Sequence, residues 1–268
     1  MKLPVRIFSD LHLGHRASRI SDVEKLRPLF KGAGTVVFNG DTWEELAEPW
    51  RERSAVMLGE LRGILAEEGC EALFLRGNHD PSWGGPAFLE LAGGRVLVTH
   101  GDALLRASSP WKREIISGAE AIERLWREFP AAKTDSGQRL ELARQIALRL
   151  PSVRYPRERS LFSRVLDAAF PPQRALRILD AWLRQGQYGA AFCEQYFPKA
   201  ELLVIGHFHC SGIRRARGRT LLDLGSFVLP GRAKWAEWDG LHFSTGTISE
   251  TQVGEWVLGV GTTKWDFI

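Results

Sequence analysis

The residues of this chain that could do chemistry are acids, amides and histidines that follow short apolar runs. The five places are the sequences "SDLH", "NGD", "GNHD", "THGD" and "GHFH", and their side chains are Asp10, His12, Asp41, Asn78, His79, Asp80, His100, His207 and His209. In "SDLH" and "GHFH" two candidates stand two positions apart, so in an extended chain they point to the same side. Neighbouring glycines let the backbone turn sharply beneath a crowded site. Each pair can therefore chelate a cation.

The donor types and their number indicate two metal ions. Aspartate, histidine and asparagine without cysteine suit Mn²⁺, Fe²⁺ or Zn²⁺ better than a cysteine-rich structural zinc site. Seven candidate ligands exceed the needs of one ion. They match two ions about 3.5–4 Å apart that share a carboxylate, which is the arrangement that clamps the attacking and leaving oxygens in phosphoryl displacement. The shared ligand must be a carboxylate that serves both ions, and Asp41 is the isolated one.

Each motif taken alone has a simpler explanation. Glycine, asparagine and aspartate favour turns, so "GNHD" could serve only to make a turn. "GHFH" could be an apolar strand that ends in histidines. The cysteines Cys70, Cys193 and Cys210 are too few and too scattered for a disulfide framework, although Cys210 directly follows a candidate ligand. All five motifs together, each at the end of a predicted strand, favour a site.

The elements that must position these residues are strands and crossover helices. The apolar runs "LPVRIF", "TVVF", "ALFL", "RVLV", "AELLVI" and "TLLDL" predict strands, and the segments up to "TKWDFI" predict antiparallel hairpins. Between the second and third runs, Val56, Leu58, Leu61 and Leu65 have helical spacing, with Gly69 placed to end the helix. Strands that alternate with helices predict an α/β sheet.

From residue 103 to 200 the pattern becomes entirely helical. Apolar residues recur at helical spacing in three stretches, which are Ile115, Ile116, Ala119, Ile122, Leu125, Trp126 and Phe129, then Leu161, Phe162, Val165, Leu166 and Ala169, and then Ala175, Leu176, Leu179, Trp182 and Leu183. Prolines 130, 151, 156, 171 and 172 separate the helices. We therefore predict residues 1–102 and 201–268 as two halves of a core and 103–200 as a helical insertion.

Composition and charge narrow the class of protein. With 44% hydrophobic and 25% charged residues among 268, the chain has the composition of an ordinary globular protein. The apolar start reaches Asp10 too soon for a secretory signal, and no run approaches the roughly 18 apolar residues of a membrane span. Residues 103–200 hold 17 Lys and Arg against 10 Asp and Glu. This excess favours an anionic substrate or surface, unless the arginines only solubilise the helices.

The series D-x-H, G-D, G-N-H-D, H-G and G-H-x-H resembles the calcineurin-like metallophosphoesterase superfamily, across residues 1–102 and 201–268. The resemblance implies a four-layer αββα sandwich with an inserted helical lid and a dinuclear centre at the carboxyl ends of strands. It also implies a role for each residue. Asp10, His12 and His209 would hold the first ion, Asn78, His100 and His207 the second, and Asp41 would bridge them. His79 would be the general acid, and Asp80 could hold its ring by a hydrogen bond.

The expected reaction is hydrolysis of a phosphodiester or pyrophosphate bond by in-line attack of a hydroxide that bridges the ions. The cofactors would be two divalent ions, with manganese first and iron or zinc as alternatives. "GDTWEE" differs from the "GDxVDRG" run of protein serine/threonine phosphatases. The position and helicity of the insertion resemble instead the UDP-2,3-diacylglucosamine hydrolases, although that family typically carries arginine where this chain has His79.

The substrate predicted from these features is a phosphate-containing small molecule that is linked to a nucleotide or a lipid. Amphipathic helices could bury an acyl chain, and their arginines could meet a diphosphate, an anionic membrane or nucleic-acid phosphates. Trp43, Trp50, Trp83 and Trp111 could stack a base or sugar, or only pack the insertion on the core. The location would be cytoplasmic, with peripheral contact at the inner membrane face. The alternatives are a nuclease or general phosphodiesterase, and a protein-binding scaffold of the same fold that is not an enzyme.

Overall fold

The computed structural model describes residues 1–112, 114–150 and 172–267. Its strands are Val5–Phe8 (β1), Thr35–Asn39 (β2), Glu71–Leu75 (β3), Phe88–Leu91 (β4), Val96–Thr99 (β5), Leu202–Ile205 (β6), Gly212–Ala216 (β7), Arg219–Asp223 (β8), Lys234–Trp238 (β9), His242–Glu250 (β10) and Trp256–Asp266 (β11). The α-helices are Arg27–Phe30 (α1), Glu48–Glu67 (α2), Glu114–Ser117 (α3), Ala119–Glu128 (α4), Ser136–Arg149 (α5) and Pro172–Tyr196 (α6). Short 3₁₀ helices cover Glu24–Leu26, Ala92–Gly94, Asp102–Leu104 and Pro130–Lys133.

The strands form two mixed sheets. One has the order β11-β10-β9-β1-β2-β3, in which β1, β2 and β3 are parallel and the antiparallel strands β9, β10 and β11 extend the sheet beyond β1. The other has the order β4-β5-β6-β8-β7, with β5, β6 and β8 parallel. Sequence periodicity predicted the parallel strands and the final hairpins. Strands β4 and β7 pair antiparallel at the edges of the second sheet and were not predicted.

The two sheets pack face to face, with helices on both outer faces. Val5, Ile7 and Val37 of the first sheet lie in one apolar cluster with Val98 and Val204 of the second. Helices α1 and α2 cover the outer face of the first sheet, and α5 and α6 cover that of the second. This is the four-layer αββα sandwich that the resemblance implied, so the predicted fold class is confirmed.

Helix α2 follows its predicted pattern with one exception. Leu58, Leu61 and Leu65 are buried against the first sheet, whereas Val56 is 63% exposed. The helix ends at Glu67, and Gly69 adopts the left-handed backbone (φ 69°) that commonly closes a helix. The helix thus connects β2 to the parallel strand β3 and sets the two strand ends side by side.

Helix α6 presents a different face to its sheet from the one predicted. The expected apolar residues Leu176 and Leu183 are 65% and 74% exposed. The buried face instead carries Gln185, Phe192 and four small residues, and a side chain on one of the small residues, Gly189, would overlap Leu221 of β8. Small residues let the helix backbone approach the sheet closely, which outweighs the larger apolar area of the leucines. Apolar periodicity identified the helix but not the face that packs.

The remaining insertion helices pack on one another. Ile122 and Leu125 of α4 form a small core with Leu142 and Ile146 of α5, as the spacing predicted. The side chains of Ile115 and Ile116, the predicted helix around Leu161–Ala169 and the prolines at 151, 156 and 171 lie outside the described residues. The boundaries at residues 102 and 200 stay a prediction. Within the described ranges, no helix is both long enough and apolar enough to cross a membrane.

Candidate metal centre

The predicted site residues follow five parallel strands whose carboxyl ends meet at one edge of the sandwich. Asp10 and His12 follow β1, Asp41 follows β2, and Asn78 follows β3. From the second sheet, His100 follows β5, and His207 and His209 follow β6. The structure brings all seven predicted metal ligands together. In addition, the donor atoms of three groups of three lie close enough to hold a cation. The first is Asp10, His12 and His209, the second is Asp41, His100 and His207, and the third, which shares His12 with the first, is His12, Glu44 and His79.

The loops that carry these side chains are backbone-strained. Eight described residues other than glycine have positive φ, and five of them are the candidate ligands Asp10 (53°), His12 (46°), Asp41 (49°), His207 (60°) and His209 (54°). A left-handed backbone is unfavourable for any residue with a Cβ, and such strain concentrates at functional sites. The fold therefore maintains a conformation here that the local sequence alone would not adopt.

Two glycines permit the crowding. An added Cβ at Gly206 would overlap the carboxylate of Asp10 and the hydroxyl of Ser9, and one at Gly77 would overlap the backbone nitrogen and carboxylate of Asp41. These positions therefore require glycine for close approach. The glycines in "GNHD" and "GHFH" keep the space around the two carboxylates clear.

Replacing Gly206 with alanine is expected to lower the free energy of unfolding by roughly 1–3 kcal/mol, because the new methyl group overpacks the loop. It should also weaken metal binding, because Asp10 must move. Urea denaturation and calorimetric Mn²⁺ titration measure the two effects. The matched control is Gly59→Ala in α2, where an added Cβ meets nothing within 4 Å and the helix should gain about 0.5–1 kcal/mol. Equal stability of Gly206→Ala and wild type would contradict the overlap.

The first donor group is built around Asp10, whose carboxylate is fully buried. Its Oδ1 lies 3.0 Å from Nε2 of His209 and 3.7 Å from Nε2 of His12. The backbone N–H of His207 donates to the same carboxylate at 3.1–3.2 Å. His12 Nε2 is buried and has no hydrogen-bond partner among the described residues. A lone pair that faces two carboxylates without a partner is a suitable metal donor.

The second group surrounds Nε2 of His100. This atom lies 3.3 Å from Oδ2 of Asp41, 3.2 Å from Oδ1 of Asn78 and 3.2 Å from Nδ1 of His207. Nδ1 of His100 lies 3.1 Å from the Asn39 carbonyl, so in the neutral ring it is the nitrogen that carries the hydrogen. In the neutral ring the lone pair of Nε2 then faces the same point as the three other donor atoms. Four electron-rich atoms around one point fit a divalent cation.

Asp41 lies between the groups. Its Oδ2 is 3.3 Å from His100 and 3.7 Å from Nε2 of His12. Its other oxygen, Oδ1, accepts a hydrogen bond of 2.8 Å from the backbone N–H of His79, which fixes the orientation of the carboxylate. Asp41 is thus positioned to contact ions in both groups.

Glu44 is a site residue that the sequence analysis missed. Its buried carboxylate lies 2.7 Å from Nδ1 of His12 through Oε1 and 2.8 Å from Nδ1 of His79 through Oε2. The two contacts keep the hydrogens on Nδ1 and leave Nε2 of both rings facing the centre. The signal was present in "GDTWEE", three residues after Asp41. However, only the tertiary fold shows that this acid points inward.

The prediction that Asp80 holds the His79 ring is wrong. The carboxylate of Asp80 accepts backbone hydrogen bonds from Gly77 at 2.8 Å, Asp41 at 3.1 Å and Thr42 at 2.7 Å. A buried carboxylate needs several donors, and the two neighbouring loops supply them as N–H groups. Asp80 therefore fixes the loop that carries Asp41 to the "GNHD" loop, while Glu44 orients His79.

The electrostatics of the centre favour added positive charge. Burial lowers the pKa of His100, but Asp41 outweighs burial and raises it to about 10. Burial raises the pKa of Asp41, yet His100 and His79 hold it well below its usual range. Burial and the charge of His100 lower the pKa of His207 to about 3. The carboxylates thus stay ionised at neutral pH, and metal ions compete with protons for the same donors.

Further tryptophans, histidines and Cys210 have contacts that do not involve the candidate donor groups. Trp83 packs on Phe74 with ring centroids 4.9 Å apart, and Trp50 packs on His15 at 4.4 Å. His242, the first residue of β10, lies 3.0 Å through Nδ1 from Oδ2 of Asp239 in the preceding turn. The sulfur of Cys210 turns to Nη2 of Arg214, at 3.4 Å. We infer no ligand role for these side chains.

Comparison with known proteins gives one curated relative and several distant folds. UDP-2,3-diacylglucosamine hydrolase from Ralstonia nicotianae is 31% identical over 140 residues, which cover 42% of this chain and 51% of the relative. The chain thus matches about half the length of that protein. The relative confirms the resemblance to the calcineurin-like metallophosphoesterases that the motifs indicated. No family model matches the chain.

Solved structures with similar folds are more distant. A dimetal phosphatase from Danio rerio is 12% identical, with 91% of this chain and 95% of that chain covered and a TM-score of 0.46. Vps29 from Chaetomium thermophilum is 10% identical, with 99% of both chains covered and a TM-score of 0.47. Neither structure gives information on the chemistry of the site. That chemistry is inferred from the geometry of the donor atoms.

Proposed function

We propose that the protein is a phosphoesterase that uses two divalent metal ions to hydrolyse a phosphodiester or pyrophosphate bond in a nucleotide- or lipid-linked substrate. The observation that carries the proposal is the pair of adjacent donor groups with one carboxylate, Asp41, between them. Asp10, His12 and His209 would hold one ion, and Asn78, His100 and His207 the other. Two such ions supply Lewis acidity and charge neutralisation for displacement at phosphorus. Manganese is the first choice of metal.

Glu44 and His79 have other roles in this proposal. Glu44 orients the His79 ring, and His79 supplies a proton to the substrate. Glu44 keeps the hydrogen of the His79 ring on Nδ1, so Nε2 faces the space beside Asp41, from which it lies 4.0 Å. The side chain of His79 is 30% exposed, and that of His209 34%, so the centre opens to solvent on this side. A substrate that enters there meets His79 Nε2, which in its protonated state can donate to the leaving oxygen.

A cavity among the insertion helices supports the part of the proposal that concerns an apolar group on the substrate. A cavity of about 500 Å³ lies between α4, α6 and the loop of residues 105–110. Its walls include apolar residues such as Leu105, Ile122 and Leu176. The charged residues Arg106, Arg177, Glu123 and Asp180 also line it, and Arg106 forms an ion pair with Glu123 at 2.8 Å. Apolar walls of this kind suit an apolar group of the substrate, such as an acyl chain. A cytoplasmic location with contact at the inner membrane face stays a prediction.

The experiment that tests the proposal is hydrolysis by metal-stripped protein with and without added Mn²⁺. The substrates are bis-p-nitrophenyl phosphate, p-nitrophenyl phosphate, UDP-diacylglucosamine, ADP-ribose and single-stranded DNA. We expect turnover only with the metal, and the fastest turnover with a diester or pyrophosphate of a small molecule. Preference for single-stranded DNA would instead identify a nuclease. Absence of both bound metal and turnover would contradict the proposal and favour the scaffold alternative.

A further inference from the structure

The two candidate ion sites take their donors from both sheets of the sandwich. In the group around Asp41, that carboxylate follows β2 of the first sheet, whereas His100 and His207 follow β5 and β6 of the second. In the other group, Asp10 follows β1 of the first sheet and His209 follows β6 of the second. The spacing between the sheets therefore decides whether the donors of either group can contact a common ion.

Most of the packing between the sheets is apolar. Val37 of β2 and Val204 of β6, for example, lie in the apolar cluster between them. Apolar attraction has no preferred direction, whereas a hydrogen bond weakens steeply with distance and angle. A directional contact is therefore needed to fix the spacing of the sheets as closely as metal coordination requires.

Asn39 provides such a contact at the end of the strand that leads to Asp41. It is the last residue of β2 and is fully buried. Its side-chain Nδ2 donates a hydrogen bond of 3.0 Å to the carbonyl oxygen of Thr99, the last residue of β5, and a longer one of 3.5 Å to that of Val204 in β6. Because both acceptors are carbonyl oxygens, only the NH₂ group of the amide can face them. The side chain thus joins the first sheet to two strands of the second.

The other half of this amide has no partner. Oδ1 of Asn39 is buried and accepts no hydrogen bond within the described ranges. A buried acceptor that is left unpaired costs free energy. An apolar residue would avoid this cost if the position served only to fill space between the sheets. The NH₂ group therefore has a role that packing alone does not explain.

The backbone beside the amide contacts the metal centre directly. The carbonyl oxygen of Asn39 accepts the Nδ1 hydrogen of His100 at 3.1 Å, and the hydroxyl of Ser9 lies 3.0 Å from the same oxygen. The end of β2 is so close to the second sheet that an added Cβ at Gly40 would lie 2.6 Å from Nδ1 of His100. A displacement of Asn39 would therefore move the ring of His100 relative to Asp41.

We propose that Asn39 is a positioning residue that sets the spacing between the two sheets at the metal centre. The inference rests on the proposed function, because it takes the two donor groups as ion sites. The amide holds the end of β2 against β5 and β6, so Asp41 on one sheet and His100 on the other stay within reach of one ion. Without the amide, apolar packing alone sets this spacing, and an ion that needs donors from both sheets binds less tightly.

The test is calorimetric titration of Mn²⁺ into metal-stripped wild type, Asn39→Leu and Asn39→Ser. Asn39→Leu should bind manganese about 10- to 100-fold more weakly, as is typical when a residue that orients metal ligands is lost. Asn39→Ser should show a smaller loss, because a hydroxyl donates one hydrogen bond where the amide donates two. The matched control is Thr35→Val at the opposite end of β2, where the buried Thr35 hydroxyl donates to the Lys2 carbonyl oxygen at 2.9 Å. This control should bind manganese as wild type does.

A second readout reports the relation between the ions rather than the stability of the fold. Electron paramagnetic resonance of Mn²⁺-loaded wild type should show two exchange-coupled ions, and at the same total metal Asn39→Leu should show more of the spectrum of isolated ions. Wild-type affinity and a wild-type spectrum in Asn39→Leu, or an equal loss of affinity in Thr35→Val, would overturn the assignment of Asn39.

The wild-type titration separates this assignment from the proposed function. Binding of fewer than two ions by wild type would contradict the proposed function itself, whatever the variants do. Circular dichroism melting establishes that each variant is folded at the temperature of the titration. If Asn39→Leu is not folded, the same outcomes for Asn39→Ser decide on Asn39.

Discussion

Asp41→Asn is expected to lose metal ions from both donor groups and to lower turnover by roughly 10³-fold or more. Its Oδ2 lies 3.3 Å from Nε2 of His100 and 3.7 Å from Nε2 of His12. A neutral amide cannot supply the charge that both ions share. The amide oxygen can still accept the hydrogen bond from the backbone N–H of His79, so the variant should remain folded. Inductively coupled plasma mass spectrometry of dialysed protein measures the metal content.

The matched control for this variant is Asp102→Asn. Asp102 is also buried and follows the same strand as His100, but its carboxylate accepts a hydrogen bond from the backbone N–H of Ala103 and belongs to neither donor group. This control should retain the wild-type metal content. Retention of both ions by Asp41→Asn, or their loss from Asp102→Asn as well, would contradict the role given to Asp41.

The second large effect is expected for His79→Gln, which should lower kcat by roughly 10²–10⁴-fold on a pyrophosphate substrate. Unlike Asp41→Asn, this variant should keep the ions of the groups around Asp10 and Asp41, because the candidate donor group that contains His79 has Glu44 and His12 as its other members. The loss should be smaller on bis-p-nitrophenyl phosphate, because nitrophenolate leaves readily without a proton. Comparison of kcat on the two substrates therefore separates proton donation from a general loss of structure.

Glu44→Gln gives the companion measurement. Glu44 contacts both His79 and His12, so its replacement should reduce activity and metal affinity about 10- to 100-fold, as loss of a residue that orients a ligand typically does.

If His79→Gln has wild-type kcat on the pyrophosphate, His79 is not the proton donor. If it loses its metal ions, its role is structural.

Local sequence predicted where the candidate metal donors lie in the fold, because strand ends and donor types are local properties. Asp10 and His12, for example, follow an apolar run and lie two residues apart. The fold places both residues at the carboxyl end of a parallel strand. The sequence did not identify Glu44 as a site residue, because it lies in a loop that carries several acids. Only the approach of the "GNHD" loop and of His12 shows which acid points inward.

Two other features required the fold for the same reason. Asp80 stands next to His79 in sequence, but its carboxylate faces the neighbouring loop, whose backbone N–H groups it accepts. In α6 the leucines at helical spacing predicted the buried face, yet Gly189 and its small neighbours pack on β8. Periodicity reports which residues share a face, whereas the closeness of approach decides which face is buried.

The most direct test of the dinuclear centre is anomalous X-ray diffraction at the manganese absorption edge from crystals grown with Mn²⁺. We expect two anomalous peaks about 3.5–4 Å apart at the carboxyl ends of β1, β2, β5 and β6, with Asp41 in contact with both. A single peak, two peaks that do not share Asp41, or no peak at these strand ends would contradict it.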